Sequence, residues 1–151
     1  MKKIVIDYLY LDLTLCERCQ GTLKVLEQAI QATQKLLEEN NYIITLNKIN
    51  VINEELAEEY RFYSSPTIRI NGNDISYDRN ESNCKECGDL CGDNVDCRIW
   101  IYNNQLFTTP PIEMLKEKII EAKDSYVEQE KNFEKYELPQ NLKKYFDGRK
   151  K

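Results

Sequence analysis

The sequence predicts an α/β protein whose elements run β-α-β-α and then β-β-α. Three observations predict it. Two apolar, β-branched runs, at residues 3–11 and 42–51, bracket a long stretch of helical periodicity. A Ser-Pro turn precedes a third such run, TIRI, which ends at Asn71-Gly72. Two consecutive prolines, Pro110 and Pro111, open a second long helical segment. At 151 residues the chain suits one hydrophobic core rather than two.

Residues 3–11 are rich in isoleucine, valine, tyrosine and leucine, the composition of a buried strand. From about residue 16 to 40, Leu23, Leu26, Ile30 and Leu37 recur at helical spacing with Thr33 among them, marking one helix face. Asn40 and Asn41 suit its end, and residues 42–51 form the second strand. Asn53 is placed to cap a short helix in EELAEEY, whose first-turn glutamates favour the positive end of the helix dipole. SSPTIRING reads as a turn, a third strand at residues 67–70 and an Asn-Gly turn. Residues 98–102 read as the fourth strand, with Trp100 and Tyr102 on one face and Ile99 and Ile101 on the other. The helix after Pro111 carries Ile112, Leu115, Ile119, Ala122 and Tyr126 on one face, and EQEKNFEK extends it as a solvated charged surface. In the tail LPQNLKKYFDGRKK, Leu138, Leu142 and Tyr145 predict a short docked helix. The expected organisation is one domain over residues 1–136, with an insertion at 72–97, and a tail at 137–151.

Composition excludes several function classes. No apolar run approaches the roughly 20 residues of a membrane span. The start MKKIVIDYLYLDL has the lysines and apolar residues of an export leader, but Asp7 and Asp12 interrupt it and no small-residue cleavage site follows. The expected compartment is therefore the cytoplasm, where six cysteines point to catalysis or metal binding rather than structural disulfides. A net charge of −5 argues against a nucleic-acid or anionic-membrane partner. Histidine is absent, which removes Ser-His-Asp and Cys-His catalysis and imidazole ligation of metals. Thiols, carboxylates, lysines and backbone remain.

Cys16-Glu17-Arg18-Cys19 stands where the first strand hands over to the first helix. The thiolate is the nucleophile, and a free cysteine with a pKa of about 8.5 is mostly protonated at neutral pH. At a helix start the unpaired N–H groups and the dipole favour the charged form. Arg18 reinforces this and Glu17 opposes it. The two-residue spacing puts Cys19 one turn in, so Cys16 is expected to attack and Cys19 to resolve the mixed disulfide.

This C-x-x-C, Ser65-Pro66 before the third strand, and the element order together resemble the thioredoxin superfamily, most closely its glutaredoxin-like members. The combination of LDLTLCERC, SSPTIRING, CRIWIY and NLKKYF is also similar to a small bacterial group of thioredoxin-like proteins to which no activity is attached. The resemblance implies a thioredoxin-like three-layer fold over roughly residues 3–126. It also implies a cis Pro66 facing the cysteine pair, with Ser65 and Thr67 beside a backbone left open for an extended substrate. The chain departs from thioredoxin in lacking a tryptophan before Cys16, a Gly-Pro between the cysteines, and an acid near Tyr10. Asn103-Asn104 replaces the Gly-Gly of glutathione binders. These departures argue against a general reductase of the thioredoxin type.

Residues 72–97 separate the third and fourth strands, which normally form a tight hairpin in that fold. Without secondary structure of its own, so long a loop needs something to organise it. It carries Cys84, Cys87, Cys91 and Cys97 in the spacing C-x2-C-x3-C-x5-C, which resembles a zinc knuckle with cysteine in the histidine position. Four thiolates make a closed tetrahedral shell, and zinc would replace the apolar core that the loop lacks. Disulfides, or a second dithiol at Cys84 and Cys87, are the alternatives. The hairpin end is expected at the pole opposite Cys16 and Cys19, unless the loop folds back, in which case its thiols could relay electrons to that pair.

The function expected is thiol–disulfide exchange on a protein or small-molecule disulfide, with catalytic Cys16, Cys19 and Pro66, separate structural zinc and no organic cofactor. The alternatives are a non-catalytic binder of thiophilic metal or metalloid ions, and an interaction module that kept the fold.

Overall fold

The computed structural model describes residues 2–12, 17–76, 81–83, 96–124 and 136–149. These form a mixed α/β fold with a mixed central sheet and four helices, compatible with a thioredoxin-like class.

Strand β1 (Lys2–Tyr10) lies inside a four-stranded sheet of order β2-β1-β3-β4. Strand β2 (Tyr42–Asn50) pairs with it in parallel from Lys2↔Tyr42 to Tyr10↔Asn50. A parallel pair needs a long crossover, and helix α1 (Glu17–Glu39) supplies it. Helix α2 (Glu54–Glu59) follows, and the Asn53 side chain accepts the Leu56 N–H at 2.8 Å, the expected cap. Strand β3 (Thr67–Ile70) returns antiparallel to β1, with Ile6 opposite Ile70 and Leu9 opposite Thr67.

Where one core was expected, the structure holds two, and the alternation along β1 sorts its side chains between them. Ile4, Ile6 and Tyr8 are fully buried with Leu26, Ala29 and Leu37 of α1 and with Leu115 and Ile119 of helix α3 (Ile112–Asp124). Each such side chain contributes about 1.5–3 kcal/mol. Thr33, on the apolar face of α1, satisfies its hydroxyl by donating to the Ala29 carbonyl at 2.9 Å. Leu9 enters the second core, at the end of β1, with Leu11, Cys19, Val51, Ala57, Phe62 and Cys97. Helix α4 (Gln140–Arg149) closes that core with Leu142, Tyr145 and Phe146, and Leu138 packs against it. The tail docks as its periodicity predicted, and the chemistry-bearing cysteines among the described residues lie under it.

One expectation about the sheet is corrected. The fourth position is held not by residues 98–102 but by β4 (Asn73–Asp74), antiparallel to β3. Asn71 and Gly72 take positive φ, 52° and 84°, so the chain reverses at once. The Ile75 N–H then donates to the Ile68 carbonyl at 3.1 Å, so residues adjacent in sequence occupy the edge. The expected fourth strand splits at Ile99. Its first part, β6 (Asp96–Arg98), pairs antiparallel with β5 (Glu81–Asn83). Its second part, β7 (Trp100–Tyr102), pairs with β8 (Gln105–Phe107). Asn103 and Asn104, at φ 50° and 62°, form the turn between β7 and β8. Trp100 is fully buried in the first core, whereas Ile101 is 37% exposed. Tyr126 and the EQEKNFEK stretch lie outside the described residues. No described helix is long and apolar enough to cross a membrane.

Candidate functional site

The candidate site forms where β1 ends, α1 begins and the chain turns into β3. Helix α1 starts at Glu17, so Cys19 stands in its first turn. Cys16 lies outside the described residues. The Cys19 side chain is fully buried, with its Sγ 3.7 Å from the Ser65 hydroxyl. That hydroxyl oxygen accepts the Leu11 N–H at 3.2 Å, and the Tyr8 hydroxyl donates to the Cys19 carbonyl at 2.6 Å. Ser65 therefore ties the end of β1 to the first turn of α1. The Ser65–Pro66 peptide bond is cis. Ser65, Pro66 and Thr67 are all buried, and the Thr67 hydroxyl donates to the Ser64 carbonyl.

The backbone beside Pro66 differs from the open edge expected of a substrate platform. The Arg98 N–H donates to the Ser65 carbonyl at 2.7 Å, so the end of the chain's own β6 occupies that acceptor. The Arg18 guanidinium also donates to the Cys97 carbonyl at 3.3 Å. The C-terminal end of the insertion has thus folded back onto the start of α1, instead of lying at the far pole. Cys97 is fully buried in the same apolar cluster as Cys19. Cys84, Cys87 and Cys91, the other three ligands expected for zinc, lie outside the described residues. Among the described residues no three cysteine, aspartate or glutamate side chains converge as metal ligands.

Two groups that sequence reasoning missed hold this return in place. Arg98 is fully buried, and its guanidinium makes two 2.8 Å bonds to the Asp74 carboxylate and one, also 2.8 Å, to the Ser76 carbonyl. It lies 4.7 Å over the Trp100 ring. An arginine set directly before Ile-Trp-Ile was the available signal. Asn141 of α4 is the second group. Its amide oxygen accepts the Asp96 N–H at 2.7 Å and its NH2 donates to the Asp96 carbonyl at 2.8 Å. Nothing in the sequence distinguishes it from a surface asparagine. Tyr136, leading into α4, donates its hydroxyl to the Phe62 carbonyl, and burial pushes its phenol up to about 12.

Glu81 of β5 joins the same assembly. Its carboxylate accepts from the Ser64 hydroxyl and from the Asn141 NH2, each at 3.1 Å. Burial raises its pKa above the ordinary 4.5, with the Asp96 charge adding to this, while the Ser64 bond, Arg98 and the Asn141 bond oppose it. A raised carboxylate favours the protonated fold, so its linked stability is present below the ordinary value and lost as pH rises through the raised one. Glu81→Gln keeps an acceptor for both donors and removes the titration. The variant is expected to gain stability relative to the parent between about pH 4 and about pH 7, read as urea midpoints. A stability difference that does not change with pH would show that Glu81 titrates as an ordinary glutamate.

A family described as Domain of unknown function (DUF2703) matches residues 4–119, which include most of the sheet and Cys19, Ser65 and Cys97. Comparison with curated proteins and with solved structures returned no match.

Proposed function

The chain belongs to this DUF2703 family, and from that premise we propose that it performs thiol–disulfide exchange at Cys16 and Cys19. One observation carries the reading: Cys19 stands in the first turn of α1, 3.7 Å from the hydroxyl of Ser65, the residue before cis Pro66. A C-x-x-C at a helix start beside a Ser-Pro turn is the arrangement in which the sequence resembles thioredoxin-like proteins.

In this reading the Cys16 thiolate attacks one sulfur of a substrate disulfide. That S–S bond breaks, one substrate thiolate leaves, and Cys16 holds the other half as a mixed disulfide. Cys19 then gives up its proton and attacks the Cys16 sulfur, releasing the second substrate thiolate. Two electrons and two protons pass to the substrate, and the pair is left as a Cys16–Cys19 disulfide. The burial of Cys19 suits the resolving role, because a wall of apolar side chains keeps it from reacting first. The Ser65 hydroxyl is within reach to orient the Cys19 sulfur.

Site-resolved alkylation of the full chain with iodoacetamide across a pH series tests this. In Cys19→Ser, Cys16 is expected to react at least about tenfold faster than a model thiol near pH 6, because more of it is ionised. In Cys16→Ser, Cys19 is expected to react slowly at every pH at which the chain stays folded. A Cys16 no faster than the model thiol would remove the proposal.

A further inference from the structure

We infer that Cys97 is the third thiol of this exchange site, taking the disulfide inward by pairing with Cys19. The inference rests on the exchange reading above and adds an internal acceptor to it. Three observations bring the two residues to one place. Both side chains are fully buried in one cluster with Leu9, Leu11 and Phe62. Both flank Ser65: the Cys19 sulfur lies 3.7 Å from its hydroxyl, and the amide directly after Cys97 is 2.7 Å from its carbonyl. The residue before Cys19, Arg18, is bonded to the Cys97 carbonyl at 3.3 Å across 79 positions of sequence. The loop-closure entropy of bringing such distant thiols together is therefore spent in folding and does not burden the exchange.

The manner of approach is that of a bound peptide. The Arg98 amide of β6 donates to the Ser65 carbonyl as an added strand would, which seats Cys97 in the cluster that holds Cys19. The step balances without an outside reagent. Starting from the Cys16–Cys19 disulfide, the Cys97 thiolate attacks the Cys19 sulfur. A Cys19–Cys97 bond forms, the Cys16–Cys19 bond breaks, and Cys16 leaves as the thiolate. No electrons are gained or lost, and the proton released by Cys97 balances the one that Cys16 can take up. An oxidising equivalent collected at Cys16 is thereby moved into the core and Cys16 is returned to its reactive form.

The experiment uses the full chain, reduced, desalted and given one molar equivalent of diamide, then quenched in acid with N-ethylmaleimide and mapped by peptide mass spectrometry. The expected result is a Cys19–Cys97 linked peptide alongside Cys16–Cys19, with Cys16 alkylated in the first population. In Cys97→Ala, Cys16 alkylation after oxidation is expected to fall at least about tenfold, because Cys16 stays locked to Cys19. The wild-type map needs no variant, so a misfolded Cys97→Ala leaves the test intact. A map containing Cys16–Cys19 but never Cys19–Cys97 overturns the inference and leaves the exchange reading standing. So does a Cys97 protected by stoichiometric zinc in elemental analysis. If Cys16 shows no enhanced reactivity and Cys16–Cys19 never forms, the exchange reading itself fails.

Discussion

Arg98→Ala is expected to lower the unfolding free energy by about 3 kcal/mol, the low end of the range for breaking a buried ion pair. The guanidinium is wholly inside, with both bonds to Asp74 at 2.8 Å, while the Asp74 side chain is 28% exposed. Water can therefore reach the abandoned carboxylate, which lessens the penalty. The remaining loss comes from the cavity beside Trp100 and from the Ser76 carbonyl left without its donor. Arg98→Lys is expected to recover little, because a point charge cannot span both carboxylate oxygens. Urea titrations of Arg98→Ala, Asp74→Ala and the double variant measure the coupling. If the two single losses simply add and Arg98→Ala costs under about 1 kcal/mol, the ion pair does not hold β6 in place.

Phe146→Ala is expected to cost about 3–5 kcal/mol, the range for emptying an aromatic site in a core. Phe146 is 2% exposed on α4 and meets Tyr145 edge-on, with ring centroids 5.8 Å apart. The same substitution is expected to open the site. Helix α4 covers the cluster that holds Cys19 and Cys97, so native-state alkylation of both should rise. Leu37→Ala is the control. Leu37 is fully buried in the other core, between α1 and α3, and its loss costs a comparable about 2–5 kcal/mol without touching α4. If Leu37→Ala exposes Cys19 and Cys97 as much as Phe146→Ala does, the thiols become accessible by global unfolding and α4 is no separate cover.

Much of the fold was legible because its signals are local. The apolar runs located β1, β2 and β3, and the leucine spacing located the inward face of α1. Asn53 announced the cap of α2, and the Leu142 and Tyr145 spacing announced α4. The candidate site was legible only in part. The resemblance set Pro66 against the cysteine pair, but the contact of the Ser65 hydroxyl with the Cys19 sulfur came only with the fold. Arg98 and Asn141 were not legible, because their roles depend on partners 24 and 45 positions away. The return of Cys97 to α1 is one of two outcomes the sequence leaves open, since a chain of that length can reach either pole.

The amino-acid sequence by itself determined the element types, the turn at Asn71-Gly72, the chemistry left to a chain without histidine, and Cys19 near the start of a helix. Each depends on a side chain and its near neighbours, through periodicity, capping or backbone preference. Only the tertiary structure decided that residues 73–75 take the edge of β3, that Arg98 is buried against Asp74, and that β6 and α4 close over Cys19. Those outcomes are competitions between segments far apart in sequence. They are won by hydrogen bonds and apolar contacts that exist only once the chain has folded.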